Sequence, residues 1–138
     1  MRWSKILLMS LALVVMTACA DQPLPQKAQR FLDQYFPKCS VVLIETDVEE
    51  GVAEYEVWLN DGTKVEFDMW GEWRRVGRNK SGVPVAMIPD GIMQYITTHY
   101  PNNVVTKFSR KDYGYKVELS DDMDLRFNEQ CQFVEEID

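Results

Sequence analysis

The chain has 138 residues, with 15 lysines and arginines against 22 aspartates and glutamates, for a net charge of −7. This is enough chain for a single core, or for two small halves sharing one. The acidity argues against binding along a nucleic-acid backbone, which needs clustered cations. The densest basic stretch, Arg74-Arg75-Val76-Gly77-Arg78-Asn79-Lys80, reads as one solvated hairpin or linker.

The first nineteen residues have the order of a secretory signal: Arg2 and Lys5, an apolar run from Ile6 to Met16, then Thr17-Ala18 before Cys19. A transmembrane helix needs about 20 apolar residues, more than the run supplies, and Asp21-Gln22-Pro23 cannot extend it. Met16-Thr17-Ala18-Cys19 resembles the lipobox of bacterial lipoproteins, with Met where Leu is usual. The resemblance implies a diacylglyceryl group on Cys19, which becomes the first mature residue and holds the protein to a membrane. Residues 1–18 are then the signal peptide and 19–23 a lipidated tether. Removing residues 1–18 takes away two bases and no acid, leaving 13 basic residues against 22 acidic ones, a net charge of −9.

Beyond the tether the chain repeats itself. Leu24-Pro25 and Ile88-Pro89 each open an amphipathic segment that closes on aromatic-Pro, Phe36-Pro37 and Tyr100-Pro101. Ala28, Phe31, Leu32 and Tyr35 recur at helical spacing, as do Ile92, Tyr95, Ile96 and His99. The prolines suit the first turn of each helix, where a missing N–H costs no bond, and Pro37 and Pro101 end them. The period then becomes two. Tyr55, Val57 and Leu59 alternate with polar neighbours, and so do Val65 and Phe67 across the hairpin turn Asn60-Asp61-Gly62. Val117, Leu119, Leu125 and Phe127 repeat the pattern, and Gly71-Glu72-Trp73 falls on Cys131-Gln132-Phe133. The expected fold is α+β: two tandem α-β-β-β-β repeats (24–76 and 88–138, linker 77–87) forming an antiparallel sheet of about eight strands, helices on one face.

Leu24-Pro25, Phe36-Pro37, Asp61-Gly62, Phe67-Asp68 and Gly71-Glu72-Trp73 resemble the PepSY-like family, whose domains occur in tandem in secreted proteins and are related in fold to the β-lactamase inhibitor protein. The second copy departs from the pattern, with Asp122, Asn128 and Cys131 at three of these positions. The resemblance implies a fold and an envelope location, periplasmic or cell-surface, without established catalytic residues.

The residues themselves point away from catalysis. The single histidine, His99, on the apolar side of the second helix, matches Tyr35 of the first copy and reads as a packing or hydrogen-bonding residue. Metal sites favour Cys and His at short spacing, and none is spaced so here; Asp121-Asp122-Asp124 is only a weak start toward the six to eight oxygens of a Ca²⁺ site. Neither cofactor nor metal is expected. Cys39 and Cys131 remain after lipidation, and both a disulfide and two free thiols are open. Strand alternation aims Trp58 and Trp70 away from the helices, together with Val41 and Leu43 if that set of the first strand faces the same way. This face either contacts a partner, as exposed aromatic patches do, or meets the other repeat or a long loop. The expected function is that of an exported, non-enzymatic lipoprotein whose helix-free sheet face binds or inhibits an envelope protein. A structural or accessory lipoprotein without a dedicated ligand is the second reading.

Overall fold

The computed structural model describes residues 24–137. The expected signal peptide, Cys19 and tether lie outside them. Helix α1 (Gln26–Tyr35) is followed by β1 (Val41–Glu49), β2 (Val52–Leu59), β3 (Lys64–Asp68) and β4 (Trp73–Gly77). A 3-10 turn, Val85–Met87, leads into α2 (Asp90–His99), then β5 (Val105–Lys111), β6 (Gly114–Leu119), β7 (Asp124–Asn128) and β8 (Phe133–Ile137). The eight strands form one open antiparallel α+β meander, each strand paired with the next in sequence.

The prolines stand one step earlier than the sequence suggests. Pro25 and Pro89 precede the helices in extended conformation, and their carbonyls accept from the N–H groups of Ala28 (2.9 Å) and Ile92 (3.0 Å). Each proline therefore closes the first helical turn through its oxygen, the one hydrogen-bonding group its backbone retains. Ala28 and Leu32 of α1, and Ile92 and Ile96 of α2, are buried at four-residue spacing.

One register row carries the core across the sheet. Val57, Val65, Val76, Phe108, Val117 and Leu125 stand side by side on β2 to β7, each at 0% exposure. Both helices lie on this side. Phe31 of α1 meets Phe67 edge-on at 5.6 Å, and Tyr95 of α2 meets Phe127 edge-on at 5.6 Å. Trp73 stacks between Phe31 and Phe108 at 6.2 and 5.3 Å, half-buried against the core.

The connection between the helix-plus-four-strand units starts one residue later than expected, because Gly77 pairs with Lys107 as the last residue of β4. It does not hang free. Arg78 and Val83 donate to the carbonyls of Thr106 and Val105 (both 2.8 Å), and Val83, Met87 and Ile88 are buried.

Candidate functional site

Two register rows make up the helix-free face. The first runs Leu43, Trp58, Lys64, Gly77, Lys107, Glu118, Asp124, Ile137 from β1 to β8. The second runs Glu45, Glu56, Glu66, Arg75, Ser109, Lys116, Arg126, Glu135. Period-two alternation explains why these polar residues share a side: each neighbours a core residue that points to the helices. The face is an ionic lattice. Lys64 Nζ lies 3.0 Å from Glu56, Arg75 3.8 Å from Glu66, Lys107 3.5 Å from Glu118, Lys116 3.2 Å from Asp124 and Arg126 2.7 Å from Glu135. Burial among these long side chains pushes the Glu66 carboxyl above its ordinary value, and neighbouring Glu56 adds to the shift, against the pull of Lys64 and Arg75.

The sequence-predicted residues do not gather into one aromatic patch. Trp58 is on the helix-free face, half-buried, with the Lys64 ammonium 4.9 Å from its ring centroid. Leu43 is opposite Trp58 and 47% exposed. Val41 is not with them. A register shift between Val41 and Leu43 sets two residues of β1 against one step of β2, so Val41 pairs with Leu59 and turns to the helix side. There it lines a cleft of about 330 Å³ with Leu24, Leu32 and Phe36. Trp70 is off the face as well. Asp68 Oδ1 accepts from the backbone N–H groups of Trp70 and Glu72, both at 2.9 Å, ending β3 in a turn. Trp70 stands in that turn, 69% exposed, at the opposite end of β3 from Trp58.

Cys39 and Cys131 are free, half-buried thiols in different places. Cys39 follows α1 with its Sγ 3.4 Å from Asp61 Oδ2, and burial followed by that carboxylate raises its pKa. Cys131 occupies the β7–β8 turn, its Cβ beside the α2 residue Gly91. His99 is exposed rather than on the packed side, its ring stacked on Tyr95 at 4.0 Å. Asp121 and Asp124 diverge: Asp121 Oδ1 accepts from the Met123 N–H (3.2 Å) and Asp124 pairs with Lys116. Among the described residues no three Asp, Glu, His or Cys side chains are placed to hold a metal ion, and no helix is long and apolar enough to cross a membrane.

Arg75, expected in a solvated hairpin or linker, is instead in β4 at the centre of the face, where it joins Lys107, Ser109, Lys111 and Lys116, which the sequence reading did not single out; with Glu118 they line a hollow of about 90 Å³. A wider trough of about 1090 Å³ opens beside it, reaching Lys64, Gly77, Arg78 and Thr106. The alternation Lys107-x-Ser109-x-Lys111 was the available signal. Its meaning depends on β4 pairing with β5.

The fold is shared with solved structures. A Bacteroides thetaiotaomicron protein described as "a putative calcium-regulated periplasmic protein" is 36% identical, with 83% of this chain and 91% of that one covered at a TM-score of 0.79. A Bacteroides vulgatus protein, described as a putative periplasmic protein of the DUF2874 family, is 34% identical over 83% of this chain and 91% of its own, TM-score 0.77. Another from Bacteroides vulgatus, described as a putative periplasmic protein of unknown function, is 26% identical over 91% of this chain and 98% of its own, TM-score 0.81. No functionally curated protein matches the sequence. The family model described as "Putative beta-lactamase-inhibitor-like, PepSY-like" matches residues 53–135, and the chain belongs to that family.

Proposed function

We propose that this protein is an exported lipoprotein of the cell envelope, anchored through Cys19, that binds a partner protein with the helix-free face of its sheet and has no enzymatic role. The observation that carries the reading is the one-sided architecture. Both helices cover the Val57-to-Leu125 row, and among the described residues no helix lies on the opposite side of the eight strands. Trp58 and Leu43 give that face an apolar corner beside its charges, the mixture from which binding surfaces are built. The periplasmic descriptions of the Bacteroides relatives support export. The matched order of the two units, down to the equal 5.6 Å contacts of Phe31 and Tyr95, supports descent by internal duplication.

The test is capture of a specific envelope protein by the lipidated chain. Trp58→Ala is expected to release it and Trp70→Ala to retain it, since only Trp58 is on the face. Retention by both variants would remove the face from consideration. Anchoring is read separately: Cys19→Ser is expected to lose incorporated fatty acid. A second reading, an accessory protein that associates with its own kind, draws on one observation. Val41, Val42 and Leu43 are exposed along β1, an open sheet edge of the sort that pairs with further strands. Concentration-dependent sedimentation would favour it.

A further inference from the structure

The geometry points to a cationic docking site for an acidic segment of a partner protein, centred on Ser109 where β4 and β5 join. Ser109 is opposite Arg75 on one neighbouring strand and Lys116 on the other. Lys107 and Lys111 flank it two residues away on its own strand, hence on the same face. Cross-strand neighbours stand about 5 Å apart at Cα and residues two apart on a strand about 6.6 Å. Four cations thus surround one hydroxyl-bearing side chain within a protein of net charge −7. Like charges so close are unfavourable; Glu66, Glu118 and Asp124 offset part of that repulsion for three of them, Glu118 from within the hollow itself, and an anion between the four offsets more.

The centre is also recessed. Gly77 and Ser109 sit on adjacent strands, diagonal to one another, among long side chains on every side. Two small residues at this point leave the hollow over Ser109 and open the trough beside it. The ion pairs that Arg75, Lys107 and Lys116 make with Glu66, Glu118 and Asp124 span 3.2–3.8 Å. Tight charge-assisted bonds are about 2.7–2.9 Å, so these cations keep capacity for a closer acceptor.

Charge decides the kind of occupant. Glu45, Glu56 and Glu66 occupy one side of the row and Glu135 its far end. These rims repel a broad anionic surface, whereas a narrow segment bearing one or two carboxylates reaches the centre without touching them. Trp58 and Leu43, at the β1–β2 end of the neighbouring row, offer apolar contact to the rest of such a segment. This inference rests on the partner-binding reading and adds the chemistry of what is bound.

The full chain, in micelles of a neutral detergent, is titrated with hexaglutamate and with hexalysine at fixed ionic strength, and separately with phosphatidylglycerol vesicles. Hexaglutamate alone is expected to bind, more weakly as salt is raised. The Lys107→Gln, Lys116→Gln double variant is expected to lose roughly tenfold in affinity with its melting temperature held. Ser109→Asp, which places a carboxylate at the centre, is expected to abolish binding and to melt no lower than wild type. Equal binding of hexaglutamate by wild type and both variants overturns the site. Vesicle binding that the double variant loses, with hexaglutamate unbound, makes a membrane the occupant and also overturns it. If Ser109→Asp keeps an envelope protein that Trp58→Ala releases, the cationic site fails and the face reading stands. If both keep it, both readings fail.

Discussion

Matching turns of the two units differ in a way that stability measurements can read. Gly71 has φ +87°, and a Cβ there would stand 2.9 Å from the Ala28 nitrogen and from the Pro25 side chain. The corresponding turn of the second unit holds Cys131 at φ 64°. A left-handed conformation costs a residue with a side chain about 1–2 kcal/mol and glycine almost nothing. Cys131→Gly is therefore expected to raise the unfolding free energy by about 0.5–1 kcal/mol in urea titrations, and Gly71→Ala to lower it by roughly 2 kcal/mol or more, through φ and contact together. Glu72 gives a pH signature. Its bond from Lys27, with Arg110 nearby, holds its carboxyl below the ordinary range. The folded state then binds this proton less tightly than the unfolded one, so the contribution is full above the unfolded pKa, about 4.3, and is lost as pH falls through the lower folded value. Glu66 has the opposite sign: its raised pKa favours the folded state as pH drops toward that same unfolded value. Thermal melts between pH 6 and pH 3 should show Glu72→Gln losing less stability on acidification than wild type, and Glu66→Gln losing more. Tyr100, donating to Glu136, has its phenol pushed up to about 12. Absorbance titration should find a tyrosine that ionises near pH 12 in the wild type and is missing from Tyr100→Phe.

At the scale of elements, β1 and β3 show where periodicity could be followed and where it could not. The helices, the Asp61-Gly62 hairpin and the inward residues of β2, β3, β6 and β7 follow from spacing alone, because each such element buries one side and a slip would expose it. The bulge between Val41 and Leu43 breaks that logic. One extra residue sends two apolar side chains of β1 to opposite faces, and nothing in Val-Val-Leu-Ile marks where it falls. Extending β3 past Asp68 aims Trp70 at the open face, but Asp68 with Gly71 carries the turn signal that ends the strand. β1 also makes a prediction of its own. Val42 is 61% exposed on a nine-residue edge strand, and edge strands of this kind are commonly blunted by lysine. Val42→Lys is expected to suppress any concentration-dependent association seen by sedimentation without lowering the melting temperature. Unchanged association would show that copies meet elsewhere.

For the molecule as a whole, the junction of the two units is the feature least visible in the sequence and most consequential. β4 and β5 come from different units and share three register pairs: Arg75 with Ser109, Val76 with Phe108, and Gly77 with Lys107. The first and last set the chemistry of the open side, and the middle pair continues the core. Phe108 also stacks on Trp73 and Tyr115, at 5.3 and 5.4 Å. Phe108→Ala is expected to cost about 3–5 kcal/mol and to destabilise both units together, giving one calorimetric transition at lower temperature; two separated transitions would mean that the units fold independently. An open sheet also turns as it widens. Eight strands make seven steps, and a sheet that twists by about 20–25° at each turns its strand axis through roughly 140–175° across that width. A plane laid against it touches only a ridge, while a slim rod or loop can lie along the waist. If the face binds a partner as proposed, this breadth favours a slender protrusion over a flat surface.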